Sequence, residues 1–111
     1  MKFWTTSIGI SKMRPIPGAL GDGYDKFVND AVEAEALGFD GYGSGEHHFM
    51  YDEFMPLPLQ AMAAVAAKTS KIRLSTNAML LPLYDPIEAA EIAATLDVLS
   101  NGRVSLGLGM G

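Results

Sequence analysis

Leu37-Gly38-Phe39-Asp40-Gly41-Tyr42-Gly43 runs straight into Ser44-Gly45-Glu46-His47-His48-Phe49, and this stretch decides the fold. Gly38 is a natural helix stop, because the left-handed position after a last helical turn suits a residue without Cβ. The residues before it have helical spacing. Phe27, Ala31 and Ala34 share one face, Val28 and Val32 widen it, and Lys26, Asp30 and Glu33 point the other way, so a helix is predicted from Tyr24 to Leu37. Phe39 to Tyr42 then reads as a short buried strand, and a long loop follows from Gly43 to about Leu57. That loop holds both histidines of the chain, side by side behind a carboxylate and ahead of an aromatic ring, with Tyr51, Asp52 and Glu53 further on. A loop of this length in a compact domain is usually functional. In parallel α/β proteins chemistry gathers at the carboxyl ends of strands, which is where this cluster falls.

Working outward, Phe3 to Ile10 is predicted as strand one. Ser11 to Gly23 is predicted as a loop punctuated by Pro15, Pro17, Gly18, Gly21 and Gly23. Beyond the histidines, Pro58 is placed for a first helical turn. Leu59, Met62, Ala63 and Ala66 form the stripe of a second helix ending near Lys68-Thr69. Ile72 to Thr76 is strand three, and Asn77 to Tyr84 an apolar connection. Asp85-Pro86 combines a capping carboxylate with a first-turn proline. Ala89, Ile92, Ala93, Leu96 and Leu99 carry helix three, with Glu88, Glu91 and Thr95 on its wet side. Ser100-Asn101-Gly102 is a turn and Arg103 to Leu108 is strand four. Short apolar strands alternating with amphipathic helices mean a parallel sheet with right-handed crossovers, in an open sheet or in part of a (β/α)8 barrel.

Composition narrows the function. The chain has 111 residues, 49% of them hydrophobic, which is ample for a packed core. A net charge of −5 argues against nucleic acid as a partner and gives no reason to expect a membrane surface. There are no cysteines, so disulfides and thiolate metal sites are excluded, and a cytoplasmic location is expected. The first residues lack the apolar core of a signal peptide, and no run approaches the ~18 apolar residues of a membrane helix.

Several pieces in register, Leu37-Gly38-Phe39-Asp40, Glu46-His47-His48-Phe49, Lys71-Ile72-Arg73-Leu74, Leu80-Leu81-Pro82 with Asp85-Pro86, Ala94-Thr95-Leu96-Asp97 and Asn101-Gly102-Arg103, resemble the N-terminal part of the bacterial luciferase-like flavin-dependent monooxygenases. The resemblance implies an α/β fold consisting of the first four strands and three helices of a TIM-type (β/α)8 barrel. It implies reduced FMN or, in a second branch, a deazaflavin coenzyme. The FMN branch uses dioxygen to oxidise a small organic substrate and draws reduced flavin from a separate reductase; the deazaflavin branch mostly transfers hydride. A homo-oligomer is expected. A barrel of this type needs ~250 residues. Residues 1–111 are therefore expected to be a single partial domain truncated after strand four, inactive alone. Its strand edges would be open, and Ile8, Ile72, Leu74, Leu106 and Leu108 would come from strands left without a cover on the interior face. An alternative is a non-catalytic half-barrel that binds flavin or self-assembles.

For the site, imidazole suits proton handling near neutral pH. The resemblance implies that His47 lies by the flavin ring and assists proton transfer, with Glu46 orienting it or lining the pocket and His48 close to the coenzyme. The competing reading is a pair of capping or solvated loop histidines. A metal site is disfavoured, since adjacent residues diverge and no H-x-x-x-H spacing is present. The resemblance also implies contact with the flavin from Asn77, Ala78 and Met79, often through a cis peptide that here would be Asn77–Ala78. Gly107-Leu108-Gly109 keeps the end of strand four low, so that a planar ring can approach. Met110 stands where some members carry an arginine toward the phosphate, which leaves that contact without its cation. Met50, Met55, Met62 and Met79 are core filler or a soft pocket lining, and Phe3 and Trp4 are packing residues.

Overall fold

The computed structural model describes residues 1–7, 10–11, 19–49 and 53–111. The elements are β1 (Trp4–Ser7), β2 (Ile10–Ser11), α1 (Ala19–Ala36), β3 (Gly41–Ser44), β4 (Glu53–Phe54), α2 (Pro58–Ala66), β5 (Arg73–Leu80), a 3-10 turn (Leu81–Leu83), α3 (Pro86–Leu99) and β6 (Val104–Gly109). The four longer strands form one parallel sheet in the order β1-β3-β5-β6, so each crossover leads to the next strand, as the pattern predicts. Beside it, β2 and β4 make a two-residue antiparallel pair. Ile10, the predicted end of strand one, belongs instead to β2 and pairs with β4, while Ile8 and Gly9, the loop prolines Pro15 and Pro17, and Met50, Tyr51 and Asp52 lie outside the described residues.

Register separates two faces. Tyr42 pairs with Leu74 and Leu74 with Val104, and this face lies under the helices. Tyr42 packs its ring 5.1 Å from Phe27 and donates its hydroxyl to the Phe27 carbonyl at 3.1 Å. Burial, reinforced by the charge of Asp30, pushes its phenol up to about 12. Leu59, Met62, Val65, Ile72, Leu74, Met79 and Leu96 complete the core between sheet and helices. The opposite face carries Trp4 against Gly41, Thr6 against Gly43, and Ser75. It is small and polar toward the carboxyl end and lies open.

Several boundaries move. Helix α1 starts at Ala19, so Gly21 and Gly23 sit inside it rather than in a loop. Glycine costs ~1 kcal/mol against alanine in a helix, less than the burial of Phe27 alone contributes at ~1.5–3 kcal/mol. Strand β3 runs from Gly41 to Ser44 instead of ending at Tyr42. Its glycines signal close approach: a Cβ on Gly41 would stand 2.1 Å from the Trp4 ring. Strand β5 continues through the predicted connection to Leu80, with a register shift between Thr76 and Met79. The loop after β3 is tied back, since His47 and Met55 exchange backbone hydrogen bonds of 3.0 and 3.3 Å.

The expected apolar interior face is also corrected. Ile72 and Leu74 are each only 1% exposed and belong to the helix-covered core, whereas Leu106 and Leu108 are 44% and 52% exposed on the edge strand β6. Ile8 lies outside the described residues. Other expectations stand unchanged: Pro58 opens α2, Gly38 has φ +84°, and Asp85 caps α3 by accepting from the Ile87 and Glu88 amides at 2.9 and 3.3 Å.

Candidate functional site

At the carboxyl end of the sheet, β5 breaks its pairing with β6 between Thr76 and Met79. Thr76 spans the gap: its hydroxyl donates to the Gly107 carbonyl at 2.9 Å and accepts from the Gly107 amide at 3.1 Å. A buried hydroxyl thus replaces one rung of the ladder. The Asn77–Ala78 peptide that follows is cis.

Asn77 lies flat between two glycines. A Cβ on Gly43 would fall 2.6 Å from its Nδ2, and a Cβ on Gly107 would fall 3.4 Å from its Oδ1 and 2.3 Å from the Thr76 carbonyl oxygen. The Ser75 hydroxyl donates to Asn77 Oδ1 at 3.2 Å. A side chain at Gly43 would push the amide off the sheet, and one at Gly107 would collide with the Thr76 carbonyl, so Gly43 in β3 and Gly107 in β6 are conditions for this floor.

His47 meets the edge of this floor at Gly45. His47 Nε2 and the Asn77 carbonyl oxygen both come within 3.5 Å of the point where a Gly45 Cβ would stand, so His47 and Asn77 converge as expected. Gly109 joins them, its missing Cβ being 3.2 Å from Ala78 Cβ. His48 is held by Glu46, whose carboxylate lies 2.7 Å from Nε2; the side chains are 29% and 0% exposed. The other oxygen of Glu46 accepts from the Leu80 amide at 2.9 Å and the Tyr84 hydroxyl at 3.1 Å. Burial, then the charge of Glu46, pushes the Tyr84 phenol up to about 12. Glu46 therefore grips His48 and ties the end of β3 to the end of β5.

Two predicted site residues stand apart. Met79 is 1% exposed and its side chain belongs to the core, so only its backbone borders the bulge. Met110 is 86% exposed and directed to solvent past β6. Of the other methionines, Met55 and Met62 are core. Tyr84 was missed by sequence reasoning. The signal was available: a phenol next to the capping Asp85, in an otherwise apolar stretch, needs a buried partner for its hydroxyl. Phe49 was noted only as a neighbour of the histidines. It has φ 57°, unusual for a bulky residue, is 97% exposed, and holds its ring centroid 6.3 Å from that of His48.

Residues 3–111 match the family described as luciferase-like monooxygenase. The chain is 35% identical over 88 residues to the oxygenase component of the flavin-dependent trigonelline monooxygenase of Acinetobacter baylyi, which covers 79% of this chain and 24% of that protein. Among solved structures, it superposes with TM-score 0.88 and 31% identity on the oxygenating constituent of 3,6-diketocamphane monooxygenase from Pseudomonas putida in complex with FMN, over 100% of this chain and 30% of that one. An F420-dependent secondary alcohol dehydrogenase matches with TM-score 0.72 and 25% identity, over 100% of this chain and 32% of that one. The chain thus spans about a quarter of the length of the curated relatives it matches. By sequence and by fold, the chain belongs to the luciferase-like monooxygenase family.

Proposed function

We propose that this chain forms the first half of the barrel of an FMN-dependent monooxygenase that uses dioxygen to oxidise a small organic substrate. The observation that carries the reading is the floor of Gly43, Asn77 and Gly107 at the carboxyl end of the sheet, with His47 meeting Asn77 at Gly45 and His48 held next in the chain by its buried carboxylate. This arrangement fits a flat heteroaromatic coenzyme. The missing Cβ atoms keep the floor low, and the exposed Asn77 amide offers a donor and an acceptor at its surface. Reduced FMN, when bound, would supply the electrons that activate dioxygen. Asn77 and the backbone of Ala78 and Met79 would seat the ring, with Gly109 giving clearance. His47 would hold and move the proton of the reaction, and Glu46 would fix the imidazole beside it. Met110 brings no charge to a phosphate.

A separate flavin reductase is the natural partner, since the trigonelline relative is an oxygenase component. Exposed Ile87, Val98 and Leu99 on α3 support a homo-oligomer. No helix among the described residues is long and apolar enough to cross a membrane, which accords with the cytoplasmic location we propose. A second reading is favoured by the F420-dependent neighbour: a deazaflavin-dependent oxidoreductase on the same floor.

The test supplies the complete barrel protein with reduced FMN under labelled dioxygen and a panel of small organic substrates. Incorporation of label into a product supports the monooxygenase. Oxidation of reduced deazaflavin without oxygen uptake, with FMN inert, would replace it by the second reading.

A further inference from the structure

Glu46 is the one carboxylate whose buried side chain meets both a ring nitrogen and a phenol among the described residues. Its bonding is unequal. One oxygen takes two donors, the Leu80 amide and the Tyr84 hydroxyl, and the other faces His48 Nε2 alone. A backbone amide can only donate, and an ionised carboxylate can only accept. The phenol, pushed up to about 12, keeps its proton and donates as well. The ring nitrogen at 2.7 Å must then be the third donor.

We propose that Glu46, braced by Tyr84 and the Leu80 amide, locks the His48 imidazole with its proton on Nε2, so that Nδ1 is the nitrogen that takes up and releases a proton at the site. Tyr84 and Glu46 are positioning residues in this scheme. Only the word site rests on the coenzyme reading above; the lock itself is a property of the protein without any ligand. The second imidazole thereby becomes a defined proton acceptor beside His47, in a side chain that remains 29% exposed. The brace explains why a carboxylate is placed here rather than an amide. Glutamine offers one acceptor oxygen, and the two donors on the Leu80 side would claim it. Its NH2 group would then face His48, and the ring would have to present a lone pair at Nε2 and move its proton to Nδ1.

Long-range proton–nitrogen NMR spectra of protein labelled with 15N-histidine read this directly, at a pH where imidazoles are neutral, with His47→Gln separating the two rings. The expected wild-type pattern for His48 is Nε2–H. Glu46→Gln is expected to switch it to Nδ1–H, and Tyr84→Phe to leave Nε2–H in place because the carboxylate remains. A wild-type His48 carrying its proton on Nδ1 overturns the lock without need of any variant, as does an unchanged pattern in folded Glu46→Gln. In turnover assays Glu46→Gln should lower kcat about 100-fold or more with KM little moved, the effect of a wrong tautomer. Full turnover in a Glu46→Gln protein whose tautomer has switched would overturn the role of Nδ1. An Nε2–H ring in a protein that takes up no flavin would keep the lock and refute the coenzyme reading, so the two fail separately.

Discussion

Each end of the sheet is anchored by a glutamate, and the two use their oxygens differently. At the amino end, Glu35 accepts from the Ser70, Lys71 and Ile72 amides at 2.7–3.0 Å. Arg103, nearby and 8% exposed, donates to the Ser100, Ile72, Ala66 and Thr69 carbonyls and to the Thr69 hydroxyl. These bonds go to backbone carbonyls and one hydroxyl, closing the end of α2 and the turn before β6. At the carboxyl end, Glu46 accepts one bond from backbone and one from the Tyr84 hydroxyl, and its other oxygen faces the His48 imidazole. The same residue type staples backbone in one place and, in the other, holds an imidazole and a phenol at the site proposed above. The difference is what one expects of a barrel, whose amino face serves stability and whose carboxyl face serves function.

Substitutions at the two ends should separate these roles. The largest effect is expected from His47→Ala in the complete barrel enzyme, a loss of turnover of about 10²–10⁴-fold with flavin affinity largely kept, read as kcat against Kd for FMN. A small loss equal to that of His48→Ala would return both rings to ordinary loop residues. Next, Arg103→Ala leaves several buried carbonyls without donors and should cost about 3 kcal/mol in urea unfolding. Gly107→Ala puts a Cβ 2.3 Å from the Thr76 carbonyl oxygen and should cost about 2 kcal/mol, while also displacing Asn77.

The smallest effect belongs to Glu35→Ala, about 1 kcal/mol, the usual worth of a carboxylate capping backbone amides. Burial raises the Glu35 carboxyl, but the Ile72, Lys71 and Ser70 hydrogen bonds outweigh it and hold the group below its ordinary value. Its contribution is therefore present in full above the unfolded value of about 4.3 and is lost as pH falls through the lower folded value. Wild type and Glu35→Ala should converge in stability in acid. A gap that widens toward low pH would contradict this.

Local chemistry was legible where it acts on its own neighbours. Asp85-Pro86 announced a helix because cap and first-turn proline need no distant partner. Gly38 announced a helix end for the same reason. Tertiary contacts were not legible. Gly43 looks like a loop residue until the Asn77 amide is laid over it. Asn77 to Leu80 looks like a connection, because the strand continues only after the bulge that Thr76 bridges to Gly107. The site followed the same rule. The histidines stood out by type and adjacency, whereas the Tyr84 brace, 38 positions from Glu46, is visible only in three dimensions.

The most direct test of the division between the two ends is a titration of 15N-labelled protein with FMN, followed by backbone amide shifts. The account predicts saturable changes at Gly43, Gly45, Asn77, Ala78 and Gly107, with Ser70, Lys71, Ile72 and Arg103 unmoved. Changes centred on the amino end, or none at saturating FMN, would contradict it.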